Sequence, residues 1–243
     1  LPFSVLQTVA GPEISAAGIV NAASYRTGAI SPGEIITLFG LRLGPDELAT
    51  LQLTPDGDSI TKELSGTRVL FDDMESPMVF SSAGQISAIV PYALAAKQST
   101  RVQVEALGKR SGFISMPIAP AAPAIFTLNA SGAGPGAILN QDFSVNSPAD
   151  PAAPGSVIQI FATGEGPTDP AGLDGKLAIG ILPKPKQEVK VFIGGIEAEL
   201  LYAGAAPGLV AGSFRSTPPC PAPSPPATLR CASRPPASPA SPA

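Results

Sequence analysis

From Thr100 to Ala106 polar and apolar residues alternate without a break: Val102, Val104 and Ala106 fall on one side, Arg101, Gln103 and Glu105 on the other. A period of two is that of a strand with one face in a core and the other in water. Val189, Val191 and Ile193 alternate in the same way. Ile35–Phe39 and Val157–Phe161 are instead short, mainly apolar runs, each opened by Pro-Gly, as expected of central strands covered on both faces. Gly194-Gly195 lies between two apolar stretches and predicts a two-residue hairpin turn with positive φ. Asp72-Asp73 predicts the same turn, because Asp tolerates the left-handed region better than most residues. No amphipathic helix is expected, only one helical turn at Tyr92–Ala96.

These strands recur. Ser31-Pro32-Gly33-Glu34-Ile35-Ile36-Thr37-Leu38-Phe39-Gly40 returns 122 residues later as Ala153-Pro154-Gly155-Ser156-Val157-Ile158-Gln159-Ile160-Phe161-Ala162. Val69 to Glu75 returns as Val191 to Glu197, and Phe80 as Tyr202, at the same offset. Ile19-Val20-Asn21 is echoed by Ile138-Leu139-Asn140, and Pro12-Glu13-Ile14 by Pro123-Ala124-Ile125. A period this long marks a duplicated domain rather than a solenoid. The predicted organisation is a linker over residues 1–10, one β-sandwich over 11–122, a second, incomplete one over 123–214, and a disordered Pro/Ala/Ser-rich tail over 215–243. Superposed repeats should place Ile36 on Ile158 and Phe39 on Phe161, all buried, and each Phe→Ala change should cost about 3–5 kcal/mol. The polar loops 46–65 and 168–187 are expected at the surface, where recognition residues of sandwiches lie.

Composition narrows the function classes. The chain has 25 Gly and 29 Pro, suited to many short strands and tight turns, and only 5% aromatic residues with no Trp. It contains no histidine, which removes the usual general base and the commonest metal ligand. A formal net charge of −4 without a basic stripe argues against a nucleic-acid partner. No apolar run approaches the length of a membrane span. Both cysteines, Cys220 and Cys231, lie in the tail, so neither a disulfide nor thiolate ligation is expected to hold the fold. The chain opens at Leu1 without a signal-like segment, and any export signal is expected upstream.

The order Pro-Gly-x-Ile-Ile-x-Leu-Phe-Gly, then Val-x-Phe, a tight turn, and Gln85-Ile86-Ser87-Ala88-Ile89-Val90-Pro91 resembles the IPT/TIG class of immunoglobulin-like domains. Residues 18–214 are more closely similar to the Solibacter-type C-terminal domain family, through Gly18 to Tyr25, Gln85 to Pro91, Ala137 to Asp142 and Tyr202 to Gly208. The resemblance implies two immunoglobulin-like sandwiches at the C-terminus of a larger exported bacterial protein, extracellular or at the cell surface, with no catalysis. Its partners would be neighbouring domains of the same polypeptide and an extracellular protein or glycan. The expected role is that of a spacer, display or adhesion module. The alternative is a carbohydrate-binding accessory module, against which stands the lack of Trp for stacking on sugar rings.

Each motif that hints at chemistry has a plainer reading. Gly132-Ala133-Gly134-Pro135-Gly136 lacks the strand before and helix after that a phosphate-cradling loop needs. Asp56-Gly57-Asp58-Ser59, Asp169 and Asp174-Gly175 offer oxygen ligands but not EF-hand spacing, and read as solvated turns. Asp72, Asp73 and Glu75 look like a carboxylate cluster, but Gly194-Gly195 at the matching place indicates a turn. Asn129-Ala130-Ser131 fits a glycosylation sequon. Asn21 and Asn140 are expected to bond local turns, and Ser24, Ser131 and Ser144 have no histidine partner. No catalytic residue, cofactor site or metal site is therefore assigned.

From Pro218 on, ten of 26 residues are Pro, and no Asp or Glu follows Glu199. Phe214-Arg215-Ser216-Thr217-Pro218-Pro219-Cys220-Pro221 can be encoded by TTC AGG TCA ACG CCC CCG TGC CC; one additional C after TTC turns this into Phe-Gln-Val-Asn-Ala-Pro-Val-Pro, a counterpart of Gln85–Pro91 that repeat two otherwise lacks. Residues 215–243 are accordingly expected to be a frame-shifted read-through, the alternative being a genuine Pro/Ala/Ser linker.

Overall fold

The computed structural model describes residues 10–220, and over these the chain is all-β, with a single 3₁₀ turn at Tyr92–Ala96. In the first half the strands are β1 (Glu13–Asn21), β2 (Ile35–Leu41), β3 (Ala49–Thr50), β4 (Thr67–Phe71), β5 (Met74–Glu75), β6 (Met78–Ser81), β7 (Gln85–Ile89), β8 (Ser99–Ala106), β9 (Lys109–Arg110) and β10 (Ile114–Pro117). One sheet runs β1-β2-β7-β6-β3, the other β10-β8-β4-β5 with β9 beside β8. Ile36, Leu38, Ile86 and Ala88 of the first sheet meet Val69, Phe71, Val102 and Val104 of the second in one buried cluster, so the two sheets form a sandwich. The alternation of β8 is the predicted one, with Val102, Val104 and Ala106 buried.

The second half contains β11 (Ala124–Ile125), β12 (Ile138–Leu139), β13 (Gln159–Thr163), β14 (Thr168–Asp169), β15 (Lys184–Pro185), β16 (Val191–Ile193), β17 (Ile196–Ala198), β18 (Ala203–Ala205) and β19 (Phe214–Ser216). One sheet runs β11-β13-β19-β18 with β12 also on β13, and β14-β15 and β16-β17 are separate pairs. The duplication is visible in the registers. Ile19 faces Leu38 and Ile138 faces Ile160; Ile14 faces Gly40 and Ile125 faces Ala162. The single long β1 is thus matched by β11 and β12, with the Gly132–Gly136 loop inserted between them. The predicted hairpin turns are both present: Asp72 and Asp73 have φ of 48° and 66°, Gly194 and Gly195 of 63° and 82°.

Ile36 and Ile158 are buried in equivalent places, as expected. The two phenylalanines are not. Phe39 is 41% exposed and Phe161 half-buried. Along β2 the sandwich interior takes Ile36 and Leu38, which puts Ile35, Thr37 and Phe39 on the opposite face. Ile35 and Thr37 are nonetheless buried, and for Ile35 part of the cover comes from the second half of the chain: Ile35, Ile60 and Ile89 form a small cluster with Phe126 and Val210. That cover ends before Phe39, whose ring meets only Tyr25 among aromatic partners, edge to face at 5.9 Å and 72°. The large buried ring of repeat one is Phe71 instead.

The fold also continues past Phe214, where the tail was expected to be disordered. Phe214–Ser216 pairs with both β13 and β18, Ile158 N donates to Pro218 O at 3.0 Å, and Cys220 N to Ser156 O at 2.7 Å. Unpaired backbone groups of β13 are satisfied by any chain that can lie extended there, which does not demand a hydrophobic pattern. The part of the tail from 221 to 243, and the linker up to residue 9, lie outside the described residues.

Candidate functional site at the seam between the repeats

The acidic loops are brought together rather than spread over the surface. Ile60 N donates to Gly175 O and Leu177 N to Asp58 O, both at 2.9 Å, so loops 46–65 and 168–187 are laced backbone to backbone. Deeper in the same seam, Ile35 N donates to Thr163 Oγ1 at 2.8 Å, Tyr92 N to Asp174 Oδ1 at 2.8 Å, and Asn21 Nδ2 to Ala122 O at 3.1 Å. Gly164 has a φ of 86°, and a Cβ on it would stand 2.1 Å from Ala122 O. Gly164→Ala should therefore push the Ala122–Pro123 segment, whose Ala122 carbonyl Asn21 holds across the seam, away from the end of β13 and cost about 1–3 kcal/mol. Gly155→Ala, at φ 80° but with nothing within 4 Å, should show the backbone strain alone and a smaller loss in thermal melting.

Two carboxyl groups are enclosed at this seam. Glu34 is 1% exposed: its Oε1 accepts from Asn21 Nδ2 at 2.8 Å, and its Oε2 from Ser31 N at 2.7 Å and Ser31 Oγ at 3.3 Å. Glu165 is 6% exposed; its Oε1 accepts from Tyr92 Oη at 3.0 Å, while its Oε2 completes no hydrogen bond. Burial pushes Glu34 up to about 7 against the pull of the Ser31 and Asn21 hydrogen bonds, and the Glu165 charge adds to the rise. Burial likewise pushes Glu165 up to about 7, opposed by nearby backbone amides and the Tyr92 hydroxyl. Burial and the facing Glu165 drive Tyr92 far above its ordinary value, so it stays a donor. Beside Glu165 and Tyr92 opens a cavity of about 360 Å³, walled by Leu173, Ile179 and Ile181, with Lys176 also on its lining.

Neither glutamate stood out in the sequence. Glu34 sits inside the repeated block, but its partner position is Ser156, and Glu165 is matched by Leu43, so the duplication hides both. The only available signal was a charged residue inside an otherwise apolar Pro-Gly-opened run.

The residues that were singled out fall into local roles. Asp56 accepts from Thr54 Oγ1 at 2.5 Å and from Asp58 N at 3.2 Å, closing its own turn. Asp58 is 3.9 Å from Lys176 Nζ, and Asp174 is held by Tyr92 N. Among the described residues no group of three or more His, Cys, Asp or Glu is placed to hold a metal ion. Asp72 accepts from Lys97 Nζ at 2.8 Å and Arg101 N at 2.9 Å, Asp73 pairs with Arg110 at 3.1 Å, and Glu75 with Arg68 at 3.3 Å, an ion-pair network across the hairpin. Partial burial works against Asp72, but the Lys97 and Arg101 bonds outweigh it and hold the carboxyl down at about 2. Asn21 Oδ1 accepts from the Ala23 and Ser24 amides, the local turn role expected of it. Asn140 bonds Ser144 and Asp150 O, closing the turn that follows β12. Gly132–Gly136 is a loop between strands, and Ser131 Oγ is 2.8 Å from Asn129 Oδ1 in the same exposed turn. Ser24 Oγ only accepts weakly from Arg26 N, at 3.4 Å, and the Ser144 hydroxyl lies between Asp142 and Asp150. No helix among the described residues is long and apolar enough to cross a membrane. No protein-family model matches the chain and no curated protein matches it, so the reading of the seam rests on its own residues.

Proposed function

We propose that the chain is a non-catalytic extracellular module of a larger exported bacterial protein, in which two immunoglobulin-like repeats act as a rigid spacer, display or adhesion element. The observation that carries this reading is the laced seam. Side-chain, backbone and apolar contacts all cross it, and Ile35, Ile60 and Ile89 are buried with the help of residues from the other repeat. Flexible tandem domains meet through smaller, wetter contacts and move relative to one another. Glu34 does not favour acid–base chemistry, because its oxygens are both engaged and the group is sealed from solvent. Like the immunoglobulin-like assignment, export and the C-terminal placement rest on the family resemblance.

The carbohydrate-binding alternative finds one supporting feature, the cavity against Tyr92 and Glu165. The exposed Phe39 does not add to it, because its ring and that of Tyr25 stand edge to face rather than as a coplanar platform. Spin labels at Leu107→Cys and Phe143→Cys, with Cys220 and Cys231 changed to Ser, test the rigid reading by pulsed electron resonance. A single narrow inter-repeat distance is expected, and a broad distribution would refute it. Retention of the same labelled protein on insoluble polysaccharide, abolished by Glu165→Gln, would instead support the sugar-binding module.

A further inference from the structure

The two repeats differ at one edge. In repeat one, β4 pairs with β5 on one side and with β8 on the other, over five residue pairs from Thr67↔Ala106 to Phe71↔Val102. Its counterpart β16 pairs with β17, and among the described residues no strand lies along its other edge. Burial follows the difference. Leu70 and Phe71 are buried, whereas Phe192 and Ile193 at the same places are only half-buried, Ile193 against the cluster of Ile138, Ile158, Ile160 and Val191, and Ile196 and Leu201 nearby are exposed. A strand with a free edge and an uncovered apolar side is a site for strand addition.

The slot of β7 supplies a second, independent observation. Phe161 faces Arg215 as Phe39 faces Gln85, Ile160 faces Ser216 as Leu38 faces Ile86, and Val157 is bridged to Pro219 as Ile35 is paired with Ile89. This register is set by backbone hydrogen bonds and owes nothing to a choice of codons. In repeat one the inward residues of that strand are Ile86, Ala88 and Val90, all in the main core. In repeat two the same three places hold Ser216, Pro218 and Cys220. Read with one additional C after the Phe214 codon, and with the codons written above, they become Val, Ala and Val, while the outward places become Gln, Asn and Pro. At two positions the apolar character of the product does not depend on synonym choice. Cysteine is encoded only by TGT or TGC, so after the shift the codons at Cys220 and Cys231 end in TG and specify Val, Leu or Met. The inward place at 220 is then apolar whichever synonyms are used.

We infer that the edge of β16 that no strand covers among the described residues is the docking site for this protein's own next strands, encoded in the adjacent reading frame directly after Phe214. Those strands complete the second sandwich as β8 and β10 complete the first. The half-buried Phe192 and Ile193 are then core residues whose cover is incomplete, not a surface for a foreign partner.

The nucleotide sequence past codon 214 is the first check: an alternating apolar pattern in the adjacent frame supports the inference, and its absence overturns it. Hydrogen exchange on the present chain and on a chain translated in that frame from residue 215 is the second. In the restored chain, amides across 189–193 should exchange at least about ten-fold more slowly, reflecting a newly paired edge. Unchanged exchange would overturn the inference, as would protection in the present chain that grows with protein concentration, which would mean that a second copy covers the edge. Should the restored chain not fold, Ser216→Val with Pro218→Ala in the present chain still decides the slot. A melting temperature raised on the order of 5 °C is expected if the inward places are built for apolar residues, and a fall would show that they are not.

Discussion

Between pH 4.5 and 7.5 the protein is expected to lose stability on the order of a few kcal/mol, the reverse of what most acidic proteins do over that range. The cause is the seam. Glu34 and Glu165 have folded-state values of about 7, above the ordinary carboxyl value of about 4.5 that they regain on unfolding. Below pH 4.5 both states hold the proton and the stabilisation is fully present. As the pH rises the unfolded chain releases protons that the folded chain retains, and the advantage is gone once the pH passes about 7. The groups facing them do not reverse this sign: Asn21, Ser31 and the Tyr92 hydroxyl remain neutral, and the Glu165 charge opposes the ionisation of Glu34. The acid limb runs the other way. Asp72, held at about 2, contributes stability that is present above pH 4 and lost as the pH falls through 2. Denaturant midpoints from pH 2 to 8 should therefore peak near pH 4 to 5. Glu165→Gln keeps an acceptor for Tyr92 while removing one titration, and should roughly halve the slope above the peak. A profile that rises steadily to pH 7 would show that the two carboxyls are solvated.

Replacing Phe71 by Ala should cost about 3–5 kcal/mol, the usual loss for a fully enclosed ring, because Phe71 has no exposed surface and packs among Val69, Val102, Met116 and Met78. Phe39→Ala should cost about 1 kcal/mol or less, the scale of one edge-to-face aromatic contact on a half-open surface. The contrast is informative because the sequence points the other way. Phe39 lies in the repeated apolar block and Phe71 beside a charged turn. Equal losses, or a larger loss at Phe39, would place the sandwich interior on the wrong face of β2.

The strand order of the first half was largely legible. Period-two alternation located β8 and β16, Pro-Gly located the start of β2 and of its repeat, and the Asp-Asp and Gly-Gly pairs located both hairpin turns. These are local signals, and local backbone preference suffices to read them. The face of β2 that Phe39 occupies was not legible, because Ile35 is covered by a different part of the chain and Thr37 is buried as well, which blurs the alternation that would separate inside from outside. The seam was hidden for the same reason. Glu34, Tyr92 and Glu165 are far apart in sequence and meet only once both repeats have folded against each other. The acidic loops were located correctly as loops, but their meeting at Asp58, Gly175 and Leu177 is a tertiary event that no spacing encodes. Past Phe214 composition misled for a physical reason: a Pro-rich chain cannot build a core, yet it can lie extended along a sheet that offers free backbone groups, as residues 217–220 do.

Scanning calorimetry at pH 5, on the wild-type chain and on Phe71→Ala, tests the rigid-module reading most directly. If the seam binds the repeats into one unit, the chain should unfold in a single transition whose calorimetric and van't Hoff enthalpies agree, and Phe71→Ala should move that whole transition down. Two resolved transitions, only one of which responds to Phe71→Ala, would mean that the repeats stand independently, and would contradict it.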